Sequence, residues 1–300
     1  MKYFPQHHHA ALLVLLTTTL FVENSIASID SESSGVEIMR QVQTRHQQFP
    51  YIYEEQSMMM QDRHGDRDTR KARRYSKVEE DGTVKFLLLF DYPKEVQGVA
   101  LLANRKPDGN TTKYIYLPAL GERLIESTGE GSNDNFLGTD FTVENLTGEI
   151  LSEHIYERRN DKEIEGVLHF VLDVYKAEDN KNKQQLLRRH FIRQDNLYIT
   201  LTHHFDKQGR LSRIQSHHDL KAVDGDMWRA NMILMEDKKQ NHQSLIKVTR
   251  RVFSHDYVPA EVFTAEWLYE NYPYVEPINE SEQDDSELEL PELIKEGDMP

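Results

Sequence analysis

Apolar positions recur with a helical period over one short stretch near the start of the chain, and with a period of two over most of the rest. Ser34-Gly35-Val36-Glu37 has the form of a capping box, and Val36, Met39 and Val42, with Ile38 beside them, predict an amphipathic helix running to His46. From Glu54 the alternation begins, with Met58 and Met60 against Met59 and Gln61. His64-Gly65 then turns the chain into a basic strand from Arg67 to Tyr75, and Asp81-Gly82 predicts a second hairpin. Val84, Phe86, Leu88 and Phe90 share one face of the next strand and Leu87 and Leu89 the other, so both faces are covered. Extended segments follow from Gly98 to Asn104, Thr112 to Leu117 and Leu120 to Ile125, with Pro93, Pro107 and Pro118 as corners.

The second half repeats this style. Leu168, Phe170, Leu172 and Val174 alternate with His169 and Asp173, and Leu186 to Arg193 returns. Leu197, Ile199, Leu201, His203 and Phe205 share a face, and Lys207-Gln208-Gly209 turns the chain. Trp228, Ala230, Met232 and Leu234 alternate in turn, and Leu245 to Phe253 closes the series before a short helix from Phe263 to Tyr269. The pattern predicts a mainly β, α+β fold. It is an unclosed antiparallel barrel of roughly nine to eleven strands, its concave side capped by a short helical lid. Helices that fill the concave side would make a packed core; helices that do not would leave an apolar cavity. The pattern leaves both open.

Composition sharpens the outline. Lys2 and a His run precede an apolar core from Ala10 to Val22, and Ser25-Ile26-Ala27 offers small residues for cleavage. The expectation is a signal peptide over 1–27, cleaved after Ala27, then one domain over 28–275. An acidic tail over 276–300 holds ten carboxylates against Lys295, a large part of the net charge of -15. An acidic chain argues against nucleic acid as a partner. With no cysteine there is neither a disulfide framework nor an acylation site, which points to a non-lipidated periplasmic protein, expected to be a monomer with no integral span after cleavage.

No catalytic motif stands out: there is no Gly-x-Ser-x-Gly, no phosphate loop and no His-Glu-x-x-His, so the reading is not an enzyme and needs no cofactor. Gly129-Glu130-Gly131 lacks the setting of a dinucleotide loop. His203-His204 and His217-His218 are sequence neighbours whose rings point to opposite faces, although His203 and His217 could meet across a hairpin. No metal site is assigned. Asp140 sits in a Gly-Thr-Asp turn between Phe136 and Phe141, either accepting backbone hydrogen bonds or pairing with Arg123.

Gly98-Val99-Ala100-Leu101-Leu102, Tyr116-Leu117-Pro118-Ala119-Leu120 and Phe136-Leu137-Gly138-Thr139-Asp140-Phe141 resemble the motifs of the outer-membrane lipoprotein-sorting proteins, a LolA-like group that includes LolB-like half-barrels. The Tyr92-Pro93 corner, the late Trp strand and Phe263-Thr264 fit the same layout. Leu137 stands where methionine is usual and Thr139 where serine is usual, and Gln215 to Asp226 has no counterpart.

The resemblance implies a periplasmic carrier that binds the acyl chains of a lipoprotein or lipid and passes them toward the outer membrane, beside an inner-membrane exporter of the resistance-nodulation-division (RND) type. Met58, Met60, Phe86, Leu88, Phe90, Tyr114, Tyr116, Leu168, Phe170, Leu172, Ile199, Leu201, Trp228, Met232 and Leu234 would line its apolar cavity. Pro118, Arg123, Phe136, Gly138, Asp140 and Phe141 would form the motif and lid loop. The alternative on the same fold is an interaction module that senses envelope stress without transport.

Overall fold

A computed structural model describes residues 29, 32–46, 50–108, 110–121, 124–126, 135–177 and 185–273. The expected signal peptide over 1–27, the tail over 276–300 and Arg123 lie outside these residues.

Thirteen antiparallel strands form one sheet: β1 (Tyr51–Gln61), β2 (Arg67–Val78), β3 (Val84–Tyr92), β4 (Ala100–Arg105), β5 (Thr111–Tyr116), β6 (Leu124–Glu126), β7 (His154–Ile164), β8 (Val167–Lys176), β9 (Leu186–Arg193), β10 (Ile199–Phe205), β11 (Leu211–Asp224), β12 (Met227–Asp237) and β13 (His242–Val252). Their spatial order is β6-β5-β4-β3-β2-β1-β13-β12-β11-β10-β9-β8-β7. The chain therefore starts at the centre, meanders out to one edge at β6, crosses to the opposite edge at β7, and meanders back until β13 pairs with β1. The strand count exceeds the roughly nine to eleven expected from alternation, partly because β7, with Arg158, Arg159, Asp161, Lys162 and Glu163 in sequence, has no apolar alternation. Those charges suit a sheet edge, where they oppose pairing with another chain.

The crossing has to traverse a face of the sheet, and its residues 135–153 do so. They carry helix α2 (Val143–Thr147), capped by Thr142, whose side chain accepts from Asn145 N at 3.2 Å. Phe136, Phe141 and Val143 bury themselves against Met58, Met60, Phe86, Leu88, Phe90, Leu101 and Ile246, and the Phe90 and Phe136 rings stack at 6.1 Å. Helix α1 (Gly35–His46) lies on the same face. The expected capping box is present, with Ser34 N donating to Glu37 Oε2 at 2.8 Å. A Cβ on Gly35 would stand 2.5 Å from the carbonyl oxygen of Tyr156, so only glycine lets α1 seat on β7.

The final segment covers the other face. Val258, Val262, Phe263 and Leu268, leading into and through α3 (Ala265–Asn271), pack against Tyr53, Tyr75, Leu87, Leu89, Leu102 and Tyr116. The closing helix anticipated at Phe263 to Tyr269 thus backs the sheet, whereas α1 and α2 supply the lid on the concave side. Tyr116 Oη donates to Tyr272 O at 2.6 Å, and Arg73 holds Asp91 at 2.6 Å and also reaches the Tyr272 hydroxyl.

Candidate functional site

A cavity of about 410 Å³ lies between α1, the crossing and the sheet. Its walls include Arg105 of β4 and Arg188 of β9, which are eight strands apart in the sheet. A flat sheet would separate them by about 38 Å at ~4.8 Å per strand, so their sharing one cavity shows how strongly the sheet curls. Met39, Val42, Gln43 and His46 come from one face of α1, as expected for residues spaced three and four apart. Phe86, Leu88, Phe141, Leu146, Ile246 and Val248 make an apolar wall.

The opposite wall is polar. Glu54, 3% exposed, accepts from Arg251 Nε at 2.6 Å, from Gln56 Nε2 at 2.7 Å and from Arg74 Nη1 at 3.0 Å. Burial opposes its charge, but Arg74 and Arg251 outweigh burial and pull it down to about 2. Glu149 is held in the same way by Arg188 at 3.2 Å and His190 at 3.2 Å, with the Tyr156 hydroxyl also donating to it. Arg188 bridges further to Glu144 at 2.8 Å.

Among the histidines, burial holds the His46 and His217 rings down to about 4 and the His204 ring well below its ordinary value. His46 is fully used: one ring nitrogen contacts Leu197 O at 3.1 Å and the other accepts from Trp228 N at 3.2 Å. His204 Nε2 is buried with no hydrogen-bond partner among the described residues.

A second space of about 930 Å³ opens beside the first and shares Val84, Phe86, Arg105, Glu144, Arg188 and His204 with it. Together with Asn145, Thr147 and Gly148, which also line both spaces, these residues mark the junction between an inner chamber and an outer vestibule.

The residues expected to line a cavity are divided by this geometry. Phe86, Leu88 and Ile199 line the chamber. Met58, Met60 and Phe90 are on the same face but are packed beneath Phe136 and Phe141. Phe170 and Leu172 pair with Ile192 and His190 on the concave face and are buried, with Arg158 4.8 Å over the Phe170 ring. Tyr114 and Tyr116 lie on the back under the C-terminal segment, Leu201 packs with Val171, Phe191 and Ile214, and Leu234 and Met232 pack with Met59 and Leu245. Leu168 is 47% exposed, and Trp228 is half-buried outside the lining.

In the lid loop, Pro118 is buried beside Gly98, whose φ is +78° and where a Cβ would stand 3.0 Å from the proline ring and from Tyr272, so glycine is required. Phe136 and Phe141 anchor the crossing, and Gly138 turns it at φ +77°. Asp140, 1% exposed, accepts from Ser244 Oγ at 2.7 Å and from His242 Nδ1 at 2.7 Å. Ser244 gives its proton to the carboxylate and not to His242, so the three residues lack the serine–histidine hydrogen bond of a nucleophilic triad. His203 packs edge-on to Phe191 at the back while His217 lines the chamber, so the two do not meet. Among the described residues no group of three or more acidic or histidine side chains could hold a metal ion.

The polar wall is what sequence reasoning missed. Glu54, Arg74, Glu149, Arg188, Arg229 and Arg251 read as surface charges one at a time. The one available signal was that Glu54 and Gln56 continue the apolar face of Ile52 and Met58 at period two.

An unclosed curled sheet wrapped around a helix and a crossing segment, with a chamber between them, is a LolA-like architecture. A family model described as "uncharacterized protein" matches residues 82–270, and the chain belongs to that family.

In structure the chain is similar to a domain from Vibrio parahaemolyticus named for outer membrane lipoprotein sorting (TM-score 0.71, 20% identity, 78% of this chain and 97% of that one). It is similar to a DUF1329 family protein from Desulfovibrio piger (TM-score 0.69, 19% identity, 78% and 97%). It also resembles a LolA superfamily protein from Nitrosomonas europaea (TM-score 0.61, 15% identity, 78% and 99%). No curated protein matches it in sequence. These likenesses establish the LolA-like fold. Among the described residues no helix is long and apolar enough to cross a membrane.

Proposed function

We propose that this chain is a periplasmic, non-enzymatic carrier that encloses an acyl chain of a lipoprotein or lipid and passes it toward the outer membrane, acting beside an inner-membrane exporter of the resistance-nodulation-division type. The observation that carries this reading is the chamber of about 410 Å³, with the apolar wall of Phe86, Leu88, Phe141 and Ile246 under a lid of α1 and α2. Its volume lies within the ~300–1,000 Å³ usual for small-molecule sites.

Each methylene taken out of water gains about 0.8 kcal/mol, so a chain crossing an aqueous compartment needs such an enclosure. The same gain resists release, and a carrier has to offset it by shifting its lid. The likeness to a domain named for outer membrane lipoprotein sorting supports the reading.

Native mass spectrometry of the protein purified from a bacterial periplasm without detergent tests it. A co-purifying lipid or acylated peptide, displaced by a fluorescent fatty-acid probe, is the expected result. An apo mass together with no probe uptake would overturn the carrier reading.

A further inference from the structure

The chamber and vestibule are basic although the chain as a whole carries a net charge of -15. Five arginines and three glutamates line the chamber, and seven lysines and arginines face four carboxylates around the vestibule. Most of the glutamate charge is already used. Glu54 is held by Arg74 and Arg251, and Glu144 and Glu149 by Arg188.

Two guanidinium groups at the crossing are left bonded only to neutral oxygens. Arg105 donates to Gly148 O at 3.3 Å, beyond the end of α2; Arg213 donates to Asp140 O at 2.9 Å and to Asn135 Oδ1 at 3.3 Å, before its start. Neither makes an ion pair among the described residues, and burial lowers both below the ordinary arginine value. Glu153 acts on Arg105, and Asp237, Asp140 and Glu144 on Arg213, from beyond ion-pair distance; a partly buried cation with no carboxylate in contact is costly, and an incoming anion relieves that cost.

Between the two spaces sits His204, 7% exposed, whose Nε2 has no hydrogen-bond partner among the described residues. A buried polar atom left unpaired on a cavity wall is a place where a ligand atom gains a hydrogen bond without displacing a protein one. Charge excess, the Arg105 guanidinium and the His204 imidazole nitrogen meet at the junction with the apolar chamber, and Arg213 stands on the adjoining vestibule wall.

We propose that the junction binds the anionic head, a carboxylate or phosphate, of an acylated amphiphile whose chain occupies the inner chamber, with Arg105 and Arg213 supplying the opposing charge and His204 a hydrogen bond. This rests on the reading that the chamber takes an acyl chain, and it narrows the cargo to amphiphiles carrying a negative head close to the chain.

Calorimetric titration of the full chain with dodecanoate, dodecyl phosphate and dodecanol at low salt tests it. One or both anions should bind at least tenfold more tightly than the alcohol, and whichever binds more tightly distinguishes carboxylate from phosphate. Arg105→Gln with Arg213→Gln should erase that advantage and leave dodecanol affinity in place, while the corresponding lysine variants retain the advantage. Equal affinity for charged and uncharged chains would overturn the head site and leave the carrier reading standing. Absence of binding by all three would overturn both.

Discussion

Arg251 on the last strand donates to Glu54 on the first strand at 2.6 Å, joining the two outward meanders at the centre of the sheet where β1 and β13 pair. Glu54 lies against Arg74 on its other side, so one carboxylate holds two arginines in a nearly closed site. Removing it strands both. Glu54→Ala is expected to cost about 3–5 kcal/mol in urea unfolding, the usual penalty for leaving a buried partner uncompensated. Glu54→Leu combined with Arg251→Met and Arg74→Met should recover much of that loss. A Glu54→Ala protein as stable as the parent would show that the pair is solvated in solution.

Stability should fall in two steps as pH is lowered. His46, His203 and His217 are held by burial down to about 4, below the ordinary value of 6.5, so between those values the unfolded chain binds protons that the folded chain refuses. Their contribution is complete above pH 6.5 and lost as pH drops toward 4, each group adding a slope of at most about 1.4 kcal/mol per pH unit. Glu54 acts lower: held at about 2 against 4.5, its stabilisation is present above 4.5 and disappears as pH falls toward 2. Replacing His46 with Gln should shrink the upper step by the share of one of these three groups and leave the lower one, read as melting temperature against pH.

Much of this architecture was legible because strand alternation and turn chemistry are local. The hairpins at His64-Gly65, Asp81-Gly82 and Gln208-Gly209, the capping box at Ser34 and Glu37, and the inward tuck of Phe136 and Phe141 follow from residues a few positions apart. Alternation tells which residues share a face, but not which face becomes concave. Tyr114 and Tyr116 therefore looked as suited to the cavity as Phe86 and Leu88, and the C-terminal segment that covers them comes from more than 130 residues away. The polar wall was hidden for a related reason. Glu54 and Arg251 are separated by 197 positions, and nothing local distinguishes a charge that meets its partner from one that meets water.

Asp140 fixes the crossing to the sheet through Ser244 and His242. Burial raises its pKa, with the hydrogen bonds from Ser244 and His242 acting against that rise. Both bonds go to Oδ2, so in Asp140→Asn the amide oxygen can keep them, but the amide N–H₂ replaces the other carboxylate oxygen and adds a buried donor that needs an acceptor. The expected cost is about 1–3 kcal/mol, the price of an unmet buried donor. Hydrogen exchange should show faster opening of residues 135–147 than of β1 or β13. Unchanged stability and exchange would remove Asp140 as the anchor of the crossing.

Two tryptophan substitutions separate a cavity wall from a surface. Val84 is half-buried and lines both the chamber and the vestibule, so the indole of Val84→Trp projects into the passage between them. The extra volume goes into open space, and the stability change should stay within about 1–3 kcal/mol, the range for overpacking. Uptake of a fluorescent fatty-acid probe should fall more than tenfold. Leu168→Trp makes the same kind of exchange at a side chain 47% exposed, and the probe should bind it as it binds the parent. If Leu168→Trp blocked uptake while Val84→Trp did not, the acyl chain would lie outside the chamber, on the β8 side of the sheet.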